Sequence, residues 1–165
     1  MRGTVTAVLL AAALACAAVT GAADRVPERA VLFIGNSLTY SNDLPAMVGA
    51  VADAAGEPVR VGMVAGPNLA VIDHTTGATD AVDRIETGGW GYVVLQQGPT
   101  PAGICRDTLV LAAMRLGRPI RASGARAALF APWTRRGAQR SLGAATVSAE
   151  AAAQAVGGVL LPVGA

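Results

Sequence analysis

Three short stretches carry the groups that could do chemistry: Gly35-Asn36-Ser37, Gly66-Pro67-Asn68 and Gln96-Gln97-Gly98. The first supplies a hydroxyl. A serine hydroxyl becomes a nucleophile when a neighbouring base takes its proton and fixed donors hold the charge that develops on the substrate. The other two supply a glycine that lets backbone come close to a ligand, and a pair of carboxamides. Singly, each is ordinary loop chemistry: Gly-Asn-Ser is a common turn, and glutamines also satisfy strand-end backbone groups. No G-x-G-x-x-G spacing and no P-loop lysine accompany them, and lysine is absent from the whole chain. No His/Cys/Asp cluster has metal-ligand spacing, so neither a metal nor another cofactor is implied.

Each stretch follows a short apolar run, and those runs are the elements that must position it. Residues 30–34 are continuously apolar, the pattern of a strand buried on both faces. Residues 59–64, 92–96, 127–131 and 159–161 are further short, mostly apolar runs bounded by turn signals, which makes five strands. Between them lie helix-period segments. Leu44, Met47, Val48 and Val51 form one stripe, with Asp43 as N-cap, Pro45 in the first turn and Gly56 at the end. Residues 69–85 read as helical with a break near Gly77; residues 108–116 and 139–156 supply two more helices. Strands alternating with helices imply right-handed crossovers, a parallel sheet and helices on both faces, an α/β three-layer sandwich. Ligands of such sheets sit outside the carboxyl ends of the strands, where all three stretches fall.

Residues 1–22 read as an export signal, with Arg2, an apolar run over 8–19 and the small residues Thr20-Gly21-Ala22. This leaves a single domain over 23–165 and predicts a secreted or periplasmic protein. In a variant reading Ala13-Leu14-Ala15-Cys16 is a lipoprotein signal, and the protein is held at a membrane only if lipidated at Cys16. Cys105 would then be the lone cysteine of the mature domain, expected as a half-buried filler. The 13 basic and 11 acidic residues are scattered and aromatics make up 4%, so no nucleic-acid-binding footprint appears.

In this order and spacing, "VLFIGNSLTYSNDLP" and "GWGYVVLQQGPTP" resemble the SGNH hydrolases, the GDSL-like esterase superfamily, in its secreted bacterial branch. "VAGPNLAVIDH" and "FAPW" support the resemblance, which spans residue 30 to the C-terminus. It implies a five-stranded flavodoxin-like sheet and a serine hydrolase acting on a small-molecule or glycan ester, in a lipid or an acylated carbohydrate. Ser37 matches the nucleophile. The oxyanion hole would comprise the Ser37 and Gly66 N–H groups and a side-chain amide, for which Gln96 is chosen over Gln97. Asn36, Asn68, His74 and Gln97 are possible pocket residues; Tyr40, Asn42 and Asp43 are capping and turn residues beside them. Where most of the family has Gly-x-Asn-Asp, this chain has Gly98-Pro99-Thr100-Pro101.

The family's Asp-x-x-His motif is missing, and the final "GVLLPVGA" looks like the fifth strand and the turn before it. The expectation is a C-terminally truncated domain, impaired or inactive, whose last strand lies at a sheet edge beside an uncovered apolar face. A marginally stable or aggregation-prone product follows. His74, the single histidine, has three open readings: substitute base, pocket wall, or hydrogen-bonded surface residue. Two alternatives to an enzyme stay open: a non-catalytic carbohydrate- or acyl-binding protein, and a surface lipoprotein with a vestigial pocket.

Overall fold

A computed structural model describes residues 29–99, 103–134 and 139–164. The segments read as export signal and lipidation site lie outside these residues, as do Thr100 and Pro101. Five strands form one sheet: β1 (Ala30–Gly35), β2 (Arg60–Ala65), β3 (Tyr92–Gln96), β4 (Arg126–Phe130) and β5 (Val159–Leu161). Every pairing is parallel, in the order β2-β1-β3-β4-β5. The flavodoxin-like sheet expected from the sequence is therefore present.

Among the described residues five α-helices flank the strands: α1 (Ser37–Tyr40), α2 (Leu44–Ala54), α3 (Ala81–Glu86), α4 (Ile104–Ala122) and α5 (Gln139–Val156). Strand alternation sends Leu32, Ile34, Val93, Leu95 and Leu129 to one face, where α3, α4 and α5 cover them. Phe33, Val94, Ala128 and Phe130 point to the other face and meet Leu44 and Val48 of α2. Asp43 caps α2 as the sequence indicated, its carboxylate accepting the Ala46 N–H at 3.4 Å.

Two helices differ from their expected extent. Residues 69–85 contain only a 3₁₀ turn (Asp73–Thr75) and the short α3. Side chains there take over backbone groups that a helix would use. Asp73 accepts the Ala70 N–H, Gln97 accepts the Val71 N–H, and Thr75 and Thr76 donate to carbonyls three residues back. Conversely, α4 runs well past residues 108–116, because Leu109, Ala112, Ala113, Leu116 and Ile120 continue the buried stripe. Pro119 lies near its end, where it removes one intrahelical bond without stopping the chain. Cys105 is exposed in the first turn of α4, which corrects its reading as half-buried filler.

Candidate active site

The register brings the three stretches to one end of the sheet. Gly35 pairs with Ala65 on one side of β1 and Ile34 with Leu95 on the other. The turns that begin at Asn36, Gly66 and Gln97 therefore leave side by side. Ser37 is the first residue of α1 and is half-buried at this rim. Asn36 caps the helix: its Oδ1 accepts the Leu38 N–H at 3.2 Å, and its Nδ2 donates to the Leu69 carbonyl at 2.9 Å. The second bond ties the turn after β1 to the loop after β2. Among the described residues, neither the Ser37 Oγ nor its N–H has a hydrogen-bond partner.

The Gly66 N–H lies 3.4 Å from the Gly35 carbonyl, a long bond that continues the β1–β2 ladder. Gln96 is 1% exposed and does not face the open rim. Its Oε1 accepts the Asn36 N–H at 3.1 Å and the Thr39 hydroxyl at 2.8 Å. Among the described residues its Nε2 is buried without a partner. Gln97 Oε1 accepts the Val71 N–H at 3.0 Å. Both glutamines thus hold backbone N–H groups, the second of the two roles open to them in the sequence. Asn68 is exposed with left-handed backbone, φ +59°.

His74 is 0% exposed, so the surface reading of this residue is corrected. Its Nε2 is 3.0 Å from the Gly35 carbonyl and its Nδ1 is 3.0 Å from the Thr79 hydroxyl. A carbonyl only accepts, so Nε2 carries the hydrogen and Nδ1 accepts from Thr79. Burial pushes its pKa below the usual histidine value; the Gly35 bond and the nearby Asp73 carboxylate oppose that shift without cancelling it. A neutral ring with both nitrogens engaged is a poor candidate for taking a proton from Ser37. Nothing in the sequence pointed to this state, because the ring's main partner is a backbone carbonyl 39 residues away.

This architecture occurs in solved structures. The esterase EstA from Pseudoalteromonas sp., a psychrotrophic enzyme also solved inhibited by monoethylphosphonate, superposes with a TM-score of 0.61 at 12% identity, over 81% of this chain and 76% of EstA. A lipase/acylhydrolase from Enterococcus faecalis gives 0.57 at 18% identity, over 80% and 74%. AlinE4, an SGNH-hydrolase family esterase, gives 0.54 at 14% identity, over 82% and 76%. The fold is that of the SGNH hydrolases. No protein-family model and no curated protein sequence matches the chain. In this chain the three strand-end turns converge at the end of β1, where Ser37 stands.

Proposed function

We propose that the chain is a carboxylic-ester hydrolase scaffold of the SGNH type, with Ser37 as nucleophile and a lipid ester or acylated carbohydrate as substrate. The observation that carries this reading is the unengaged Ser37 hydroxyl and N–H at the convergence of three strand-end turns. The Ser37 N–H, which has no partner among the described residues, and the Gly66 N–H, which would leave its long bond to the Gly35 carbonyl, are the backbone donors for a developing oxyanion in this reading. Gln96 does not join them, because its Oε1 is held by the Asn36 N–H and the Thr39 hydroxyl and the side chain is buried away from the rim. Donors aimed at that charge are worth about 3–4 kcal/mol each in the transition state.

Turnover by these 165 residues is impaired in this reading, because the chain's one histidine is held neutral between Gly35 and Thr79. That same commitment favours the second reading, a binding protein that retains an acyl group or acylated sugar without cleaving it. Export follows from residues 1–22 and membrane attachment from lipid on Cys16; mass spectrometry of the mature N-terminus distinguishes the two.

A fluorophosphonate probe separates enzyme from binder. Labelling that disappears in Ser37→Ala, with slow hydrolysis of a chromogenic acetyl ester that disappears with it, supports the enzyme. An unlabelled but folded protein that retards ester substrates without consuming them supports the binder. Hydrolysis unchanged in Ser37→Ala removes Ser37 from the mechanism.

A further inference from the structure

We propose that His74 and Gln96 are positioning residues for Ser37, gripping the single peptide unit between Gly35 and Asn36 from its two ends; the inference rests on reading Ser37 as the nucleophile. That peptide is one rigid plane whose C=O and N–H point in opposite directions. The C=O accepts from His74 Nε2 at 3.0 Å, and the N–H donates to Gln96 Oε1 at 3.1 Å. Two grips on opposite edges fix how the plane is rotated. That rotation sets the backbone of Asn36, φ −132°, and so the direction in which Ser37 leaves the strand.

Each grip is itself held. The Thr79 hydroxyl fixes the histidine tautomer, and the Thr39 hydroxyl donates to the same glutamine oxygen that takes the Asn36 N–H. The glutamine cannot be flipped, because a backbone amide only donates and the atom facing it must be oxygen. The flip that would satisfy Nε2 is thereby forbidden, and a buried unpaired donor remains. Such a group is unfavourable, and a leucine of similar volume would avoid it. What a leucine would lose is the acceptor for Asn36. Gly35 fits the same arrangement: a Cβ there would stand 2.6 Å from Gln96 Oε1 and 2.5 Å from Thr39 Oγ1.

The test uses the full chain, isotope-labelled. In the unsubstituted protein, His74 nitrogen shifts should report a neutral ring with hydrogen on Nε2, and the Asn36 amide should exchange far more slowly than that of exposed Asn68. Fluorophosphonate labelling is then resolved into a limiting rate and a half-saturation concentration. His74→Phe and Gln96→Leu should each lower the limiting rate about 10- to 100-fold with half-saturation unchanged, as displacement of a reacting atom does. His74→Gln, which keeps an N–H donor, should recover most of it. Hydrogen on Nδ1, a freely exchanging Asn36 amide, or folded variants that label at the original rate would each overturn the proposal. If Ser37 never labels, the nucleophile reading fails separately. The grip is then judged by exchange alone: Gln96→Leu must release the Asn36 amide while the other β1 amides stay protected, and uniform protection overturns it.

Discussion

The two faces of the sheet are built to different standards. On one, Leu32, Ile34, Val93, Leu95 and Leu129 are fully buried under three helices. On the other, among the described residues the cover comes from α2 through Leu44 and Val48, and the strand residues Val31, Val159 and Leu161 stay half-buried. A groove of about 490 Å³ runs beside α2, lined by Val94, Phe130, Leu161 and Val163 among others. Met47 and Val51, on the same apolar stripe of α2, are 56% and 71% exposed. Packing energy is therefore concentrated on the α3–α5 face, while the site hangs on both. The 3₁₀ turn bearing His74 packs against α3 and α4 on the closed face, and Gln96 continues the Tyr92–Val94 alternation on the open one.

The largest expected effect tests that asymmetry directly. Leu129→Ala on the closed face should cost about 2–5 kcal/mol, the range for a buried leucine whose cavity cannot collapse. Leu161→Ala on the open face should cost less, about 1 kcal/mol, because that side chain is only half-buried and borders the groove. Urea denaturation followed by circular dichroism measures both. Equal losses would mean that the open face is packed as tightly as the closed one. Gly35→Ala comes next, at about 1–3 kcal/mol for overpacking where both faces meet the Ser37 turn. It should also suppress labelling of Ser37, which Leu161→Ala should leave intact.

The same contrast explains what could be read from the sequence. Short apolar-rich runs bounded by turn residues mark strands even where, as in β2 and β5, one side is only half-buried, so all five appear within a residue of their places. Apolar spacing also gave α2 and its Asp43 cap. The segment after Gly66 misled because Leu69, Val71, Ile72 and Ile85 look helical, while Asp73, Thr75, Thr76 and Gln97 divert the backbone bonds. Ser37 was legible as a polar residue at a strand end. Gln96 was legible as either an amide donor or a holder of strand-end backbone; which N–H it holds, and the role of His74, were not, because those partners are backbone groups brought near by the sheet register, and backbone leaves no mark in residue identity.

Acidification probes the closed side of the grip. A histidine whose folded pKa is depressed binds its proton more readily when unfolded. Its stabilising contribution is complete above the unfolded value of about 6.5. It is lost as pH falls from there toward the lowered folded value, by about 1.4 kcal/mol for each unit separating the two. Melting temperatures between pH 7.5 and 5 should therefore fall on the acid side, and His74→Gln should flatten that part of the curve. Equal slopes in the two proteins would place the titration outside His74.

The smallest effect on stability belongs to Val163, which lines the open groove and is 54% exposed. Val163→Ser should change the unfolding free energy by no more than about 0.5 kcal/mol, as surface substitutions usually do. It should nevertheless reduce the fluorescence of a dye that binds exposed apolar surface, since the groove is lined almost wholly by apolar side chains. Leu111→Ser on the outer side of α4, also exposed, supplies the control: similar stability, dye signal unchanged. A dye response that ignores Val163, or that rises only as the protein unfolds, would deny that the open face presents a continuous apolar surface in the native state. The asymmetry between the faces would then lie in which helices cover them, with no difference in how well they exclude water.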